Sequence, residues 1–241
     1  MEQGELVESI LAEYKERYFE IETFLFGVSR WFDVHPKLRR PHTPIVHSIK
    51  TRMKDPLHLA EKIKRKIKEG KAISKDNFQF EITDLAGVRV FHLYQEQFKY
   101  IHKEIIAKAE GLGDWYIAEA PKAYTWDPEC KSFFESQNIE TAVKESFYTS
   151  VHYLIRPRSD SPICCEIQVR TLFEEIWGEV DHTLNYPEHT ENIACREQLR
   201  VLAKLVGAGS RLVDSIFRSA AEPSTVAAIE TAQPVRTIPE R

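Results

Sequence analysis

An aspartate stands at the start of a stretch that otherwise has the composition of a buried strand. Asp84 directly precedes the segment LAGVRVFHL (85–93), whose β-branched residues and lack of helical periodicity predict a strand. A carboxylate at the mouth of a buried strand is costly unless it is paired or bound to a metal ion. Asp84 is therefore a candidate metal ligand, although a turn cap or an ion pair with Arg89 would satisfy it as well.

Three polar residues alternate with apolar ones in a second strand-like stretch, ICCEIQVRT (163–171). Because successive strand side chains point to opposite faces, we expect Glu166, Gln168 and Arg170 on one face. If this strand lies near Asp84, two carboxylates converge. Paired carboxylates suit a Mg²⁺ site for phosphate chemistry, since hard cations prefer oxygen ligands. A solvent-exposed polar face fits the same alternation.

A third set of residues recurs at four-residue spacing in and before the segment SFYTSVHYLIR (146–156), which we predict to be a strand. Lys144, Tyr148 and His152 would then share a face and line one groove. A tyrosine ring can stack on a base, and lysine and histidine can hold phosphate. The spacing alone is a weak signal, because a single histidine is more often structural.

The charge of the chain is unevenly distributed. The formal net charge is -4, yet residues 36–75 contain thirteen Lys/Arg and three Asp/Glu, a local balance of +10. Such asymmetry indicates a phosphate-rich ligand at one site, or else a solvated basic helix face. No glycine-rich phosphate loop is present, so side-chain cations must hold any nucleotide phosphates, and Arg52, Lys54 and Arg65 are the obvious supply. Lys62, Lys64 and Lys68 can simply be solvated.

Composition excludes several classes of protein. With 42% hydrophobic and 29% charged residues, the 241-residue chain is typical of a soluble globular protein. It has no apolar run long enough to cross a membrane and no secretion signal, so we expect a cytoplasmic protein. The four cysteines form no C-x-x-C pair, which argues against a zinc or redox site.

The elements that must position these residues alternate between helices and strands, which predicts an α/β or α+β fold with a mixed sheet. A polar loop is predicted from Glu119 to Ser146, and the two strands at 146–156 and 163–171 should form an antiparallel hairpin. The other predicted elements are a helix over the first thirty residues, a proline-rich connector, helices at 56–70, 95–110, 172–186 and 192–217, a strand near 115–118, and a disordered tail from 221.

Six motifs occur together in a fixed order and resemble the synthetase domain of RelA/SpoT-type alarmone synthetases, in particular the stand-alone small synthetases. They are Arg52-x-Lys54, Lys62-Ile-Lys-Arg65-Lys66, Ile82-Thr-Asp84-Leu-Ala-Gly-Val-Arg89, Tyr148-Thr-Ser-Val-His152, Glu166-Ile-Gln-Val-Arg170-Thr and Trp177-Gly-Glu-Val-Asp-His182. The resemblance implies an α+β fold with a nucleotidyltransferase-like mixed sheet flanked by helices, including N- and C-terminal helices. With the resemblance covering about residues 47–186, the chain divides into an N-terminal helix and connector (1–46), a synthetase domain (47–186), a C-terminal helix (187–220) and a disordered tail (221–241).

The resemblance also implies an activity. The family transfers the β,γ-pyrophosphate of ATP to the 3′-hydroxyl of GDP or GTP with Mg²⁺, giving AMP and (p)ppGpp. Carried over by position, the roles are as follows: Arg52, Lys54, His58 and Arg65 for ATP; Asp84 and Glu166 for Mg²⁺ and catalysis; Lys144, Tyr148, His152, Gln168, Arg170 and Glu175 for the acceptor nucleotide. The small synthetases are often homotetramers; the amphipathic first and last helices of this chain could supply such an interface or could equally pack on the sheet of a monomer.

Four positions depart from the family pattern. Phe147 replaces the usual glycine, Thr149 an Arg or Gln, Glu175 a guanine-contacting Asn, and His58 a Ser. Two alternatives therefore stay open. One is a toxic relative that pyrophosphorylates adenine nucleotides or the tRNA 3′ end, with a possible antitoxin partner. The other is a catalytically silent nucleotide-binding module.

Overall fold

A six-stranded mixed sheet organises the described part of the chain. The computed structural model describes residues 3–144, 146–185 and 189–221. The strands are β1 (Ser48–Met53), β2 (Ala86–His92), β3 (Tyr116–Tyr124), β4 (Glu140–Ala142), β5 (Ser150–Arg156) and β6 (Cys165–Thr171). Their order across the sheet is β1-β2-β6-β5-β3-β4. The β2/β6 and β3/β4 pairs are parallel and the others antiparallel, so the predicted mixed sheet and the β5/β6 hairpin are confirmed.

Helices surround this sheet. They are α1 (Gln3–Glu16), α2 (Tyr18–Val34), α3 (Pro56–Lys68), α4 (Phe78–Glu81), α5 (Phe98–Ile106), α6 (Pro128–Ser136), α7 (Leu172–Asn185) and α8 (Ile193–Ala221). One large core joins the sheet to the N-terminal helices, α3, α5 and α6. A smaller apolar cluster forms around Trp177, Ala203 and Val206, where α7 and α8 pack together. The fold is α+β, as predicted.

The N-terminal region contains two helices where one was predicted. Arg17 (φ −88°, ψ 0°) separates α1 from α2. The two helices contact different parts of the fold: α1 packs on α3, whereas α2 packs on β1 and β2. A single apolar stripe in the sequence does not reveal this division, because both helices bury residues at the same three- and four-residue steps.

The prediction of a loop from Glu119 to Ser146 was wrong. Strand β3 continues to Tyr124, helix α6 follows, and β4 pairs in parallel with β3. The start of α6 has a recognisable signal, because Asp127 accepts hydrogen bonds from the N–H groups of Glu129 and Cys130 and Pro128 occupies the first turn. Strand β1 was also missed. Its central residues are exposed and charged, as is common for an edge strand.

The predicted strand at 146–156 begins only at Ser150. Lys144 and Tyr148 therefore lie in the loop before β5, which we call the acceptor loop (residues 143–149, of which Glu145 is outside the described residues). Phe147 has a φ of 60° there, in the left-handed region. Tyr186, which ends a predicted helix, and the predicted tail from 222 to 241 also lie outside the described residues.

Candidate active site

A cavity of about 520 Å³ opens where β1, β2, β6 and α7 meet. Each element supplies polar side chains to it, and α3 and the acceptor loop close its sides. The lining residues are Arg52, His58, Arg89, Tyr148, Gln168, Arg170, Gly178, Glu179, Asp181, His182, Asn185 and His189. The predicted residues Arg52, His58, Tyr148, Gln168 and Arg170 are thus brought together.

Asp84 lies immediately before β2 and is held by two ammonium groups. Lys54 Nζ lies 3.0 Å from Oδ2, and Lys62 Nζ lies 2.7 Å from Oδ1. Burial raises the pKa of the Asp84 carboxyl, but Lys62 and Lys54 outweigh it and lower the pKa to about 2. The alternative of an ion pair with Arg89 is wrong, because Arg89 pairs with Glu175 and Glu179.

Glu166 occupies the neighbouring strand. Gly87 of β2 is the partner of Glu166 in the parallel register, which brings the second carboxylate toward Asp84. His152 Nδ1 lies 2.9 Å from Oε1, and Gln168 Nε2 donates to Oε2 at 2.6 Å. Burial raises the pKa of Glu166 and so does the charge of Asp84, yet the bonds to His152 and Gln168 leave it below its usual value. The strand that follows Asp84 thus lies beside that of Glu166, which meets the condition on which the sequence predicts that the two carboxylates converge.

These two carboxylates fit a Mg²⁺ ion that arrives with a nucleotide. Among residues 3–144, 146–185 and 189–221 no group of three His, Cys, Asp or Glu side chains could enclose a metal. Mg²⁺ needs no such group, because it commonly takes one or two carboxylates, substrate phosphates and water. Asp84 and Glu166 are oxygen donors kept ionised by their neighbours, which is the chemistry such a site requires.

On the acceptor side, Tyr148 is fixed at its hydroxyl and its ring. The hydroxyl lies 3.0 Å from His152 Nε2, and the Arg170 guanidinium lies 5.7 Å from the ring centroid. A carboxylate only accepts hydrogen bonds, so His152 donates from Nδ1 to Glu166, and its Nε2 faces the Tyr148 hydroxyl. Burial raises the pKa of the Tyr148 hydroxyl, which keeps it protonated.

Lys144 reaches this cluster by a different route from the predicted one. Its Nζ lies 4.6 Å from the centroid of the Tyr124 ring, and that ring packs edge-on against His152 at 4.9 Å. Lys144, Tyr148 and His152 are therefore neighbours, but the acceptor loop and β3 bring them together. The prediction that they share one strand face was wrong.

Glu175 lies behind the cavity and is surrounded by three cations. Its carboxylate is in contact with Arg170, Lys50 Nζ approaches to 2.9 Å and Arg89 Nη1 to 3.3 Å. The Arg170 side chain is 3% exposed and lies against Gly178, where an added Cβ would come within 2.9 Å of Nη1. We call this group of four charged residues the Glu175 network. Its central carboxylate is occupied, and Glu175 does not line the cavity.

Two cations of α3 lie elsewhere than the sequence suggested. Arg65 is not among the residues lining the cavity; its side chain is 67% exposed, and its Nε lies 3.7 Å from Glu69. Lys62, predicted to be solvated, binds Asp84. A signal for Lys62 exists in the sequence, because it follows the cavity residue His58 by four positions on an α-helix and so lies on the same face. Sequence reasoning also missed Lys50, Arg89 and the α7 residues Glu179 and Asn185.

The profile described as "Region found in RelA / SpoT proteins" matches residues 51–191, more than half of the chain. The chain therefore belongs to the RelA/SpoT family. A relative, GTP pyrophosphokinase YjbM of Bacillus subtilis (strain 168), is 23% identical over 210 residues, which cover 85% of this chain and 84% of that protein.

Solved structures share the fold. The small alarmone synthetase 1 from Bacillus subtilis bound to its product pppGpp superposes with a TM-score of 0.66 at 16% identity, covering 88% of this chain and all 100% of that one. A GTP pyrophosphokinase family protein from Streptococcus pneumoniae gives 0.65 at 20% identity, covering 86% and 94%. None of the helices in the described ranges combines the length and apolarity that a membrane span requires.

Proposed function

We propose that this protein transfers the β,γ-pyrophosphate of ATP to the 3′-hydroxyl of GDP or GTP with the aid of Mg²⁺, forming AMP and (p)ppGpp. One observation carries the proposal: Asp84 and Glu166 converge from neighbouring strands, with two lysines on one carboxylate and a fixed tyrosine beside the other. Membership of the RelA/SpoT family and the similarity to GTP pyrophosphokinase YjbM support it.

The donor side would bind ATP through charge. Lys54 and Lys62 neutralise Asp84 before any ligand is present, and both can turn to the phosphates of an entering nucleotide. Arg52 faces the same cavity. Asp84 and Glu166 would hold Mg²⁺, which when bound neutralises charge on the transferred group. Little covalent work then falls on the protein, whose contribution is positioning and electrostatics.

On the acceptor side, Tyr148 would stack on the base, with its hydroxyl held by His152. Glu166 would accept the proton of the 3′-hydroxyl, and His152 would keep its carboxylate oriented. The 3′-oxygen then forms a bond to the β-phosphorus of ATP, the bond from that phosphorus to the α–β bridging oxygen breaks, and AMP leaves with the electron pair.

The departure at Glu175 does not argue for a different base. Its carboxylate is engaged by Arg170, Lys50 and Arg89, so it has little capacity left to recognise an acceptor. The engaged carboxylate therefore gives no reason to prefer adenine nucleotides as acceptors, and the comparison of acceptors in one assay tests this directly.

The experiment incubates the protein with ATP, Mg²⁺ and GDP, GTP, ADP or bulk tRNA in turn, and measures AMP and the pyrophosphorylated product. We expect GDP and GTP to be the best acceptors. Asp84→Asn and Glu166→Gln should each lower the rate by at least about 100-fold, as loss of a charge-positioning or proton-accepting group does. Asp160→Asn, in the exposed turn between β5 and β6, is the matched control. Tight nucleotide binding without AMP release, or full activity in both site variants, would contradict the proposal.

The homotetramer implied by the family resemblance stays a prediction. Apolar side chains stand exposed along one side of α8, at Val201, Leu205, Leu212 and Ile216. Their spacing of four, seven and four residues places them in one stripe, which a second copy of the chain could cover. Sedimentation of the wild type and of Leu205→Lys measures this: a tetramer that dissociates in the variant supports it, and a wild-type monomer contradicts it.

A further inference from the structure

The acceptor loop contains an aromatic residue in a backbone conformation that aromatic residues rarely adopt. Phe147 has a φ of 60°. In this region the Cβ crowds the backbone, so a bulky residue persists there only when surrounding contacts over-determine it. Its ring must therefore be held by packing strong enough to keep this conformation.

That packing is visible on one side of the loop. The Phe147 ring meets Trp126 edge-on at 5.0 Å between centroids, and the Arg200 guanidinium lies 5.9 Å from its centroid. The ring packs against the cluster of Trp177, Ala203 and Val206, which joins α7 to α8. Phe147 thus attaches the acceptor loop to both C-terminal helices.

The next two residues are fixed on other sides. Tyr148 bonds through its hydroxyl to His152 and lies beneath Arg170. Thr149 is buried, and its Oγ1 lies 3.0 Å from Thr125 Oγ1. Between the described residues Ser146 and Ser150, every side chain of the loop is therefore engaged, and the Phe147 ring is the one that meets both Trp126 and Arg200 of α8.

We propose that Phe147 is a positioning residue for the acceptor nucleotide. By anchoring the loop to the α7/α8 cluster, its ring holds the Tyr148 ring in the orientation that stacks on the acceptor base. The inference rests on the proposed function and deepens it, since it assigns acceptor affinity to a side chain that does not line the cavity. Loss of the anchor lowers the fraction of molecules whose Tyr148 is ready to bind, and affinity falls by the same factor.

The test compares Phe147→Gly, Phe147→Ala and the wild type in assays that vary GDP and ATP separately. The glycine variant is decisive, because glycine adopts a φ of 60° without strain but has no ring. We expect the KM for GDP to rise about 10-fold in both variants. A rise of that size corresponds to a loop that adopts the binding conformation about a tenth of the time. The KM for ATP should stay within about twofold. Trp126→Leu, which removes the ring's partner, should give a smaller rise in the same direction.

Phe133→Ala is the matched control, because this partly buried aromatic residue packs on Phe98 and Phe134 away from the acceptor loop. It should leave both KM values unchanged. A wild-type KM for GDP in Phe147→Gly would show that only the backbone conformation matters and overturn the proposal. An equal rise in both KM values would also overturn it.

Direct binding of GDP by calorimetry, without ATP, separates this inference from the proposed function. If the wild type binds GDP but makes no product, the proposed reaction fails, and a weaker binding by the Phe147 variants still supports the anchor. If the wild type is active and the variants bind GDP equally well, the reaction stands and the anchor fails.

Discussion

The two sides of the cavity that we propose for the donor and the acceptor use charged residues in different ways. On the donor side, Asp84 meets Lys54 and Lys62 at the ends of β1 and α3, where all three side chains keep some contact with solvent. On the acceptor side, Arg170 and Glu175 are nearly enclosed, and Lys50 and Arg89 complete the Glu175 network. The ion pairs of Asp84, whose lysines could turn to a ligand, thus keep contact with solvent, whereas the pair of Arg170 and Glu175 that supports the cavity wall is nearly enclosed.

The largest loss of stability should come from removal of the nearly enclosed Glu175 carboxylate. Glu175→Ala leaves Arg170 enclosed without its carboxylate, which we expect to lower the free energy of unfolding by about 3–5 kcal/mol. Urea denaturation measures this. Glu179→Ala is the matched control, because Glu179 contacts Lys50 and Arg89 as well but is 53% exposed, and its loss should cost less than about 1 kcal/mol. Equal losses in the two variants would show that enclosing the Glu175 carboxylate adds nothing to its effect on stability.

A smaller effect, dependent on pH, should come from the donor side. The pKa of Asp84 is lowered from 3.8 to about 2 in the folded protein. Ionised Asp84 therefore stabilises the folded protein at pH values above the pKa that this group has in the unfolded chain. That stability is fully present at neutral pH and is lost as the pH falls from about 4 through about 2. The wild type should therefore exceed Asp84→Asn by roughly 2 kcal/mol at pH 6 and by progressively less below pH 4.

Urea denaturation at a series of pH values measures the Asp84 contribution. Lys62→Met should reduce the pH-dependent difference, since Lys62 supplies the largest favourable charge on Asp84. A difference between wild type and Asp84→Asn that does not change between pH 6 and pH 3 would show that the two lysines contribute nothing to folding.

The smallest loss of stability should come from Lys50, the most exposed member of the Glu175 network. The Lys50 side chain is 56% exposed, and Lys50→Met leaves Glu175 paired with Arg170 and Arg89. The unfolding free energy should fall by less than about 1 kcal/mol, as for other exposed ion pairs, and the activity should stay within about twofold. A loss as large as that of Glu175→Ala would mean that Lys50, and not Arg170, carries the network.

What could be predicted from the sequence follows from local rules. The pleat of a strand placed Glu166, Gln168 and Arg170 on one face, and the apolar run after Asp84 indicated β2. The sequence does not show that β2 and β6 pair in parallel. The approach of the two carboxylates could therefore be predicted only on the condition that their strands are neighbours. The surroundings of Glu175 could not be predicted, because Lys50 and Arg89 lie 125 and 86 residues away in the chain. The short element α6 was missed although its cap and proline are local signals.

The Glu175 network also constrains how this sequence can change over evolutionary time. A change of Glu175 to a neutral residue is harmful while Arg170, Lys50 and Arg89 remain, because it leaves the buried Arg170 guanidinium without its carboxylate partner. The same change becomes tolerable once a cation has been replaced, so the order of substitutions matters. Gly178 adds a second restriction, since any side chain there would meet the Arg170 guanidinium. Once Glu175 is present, the neighbouring cations therefore make its loss unfavourable, independently of which nucleotide the protein binds.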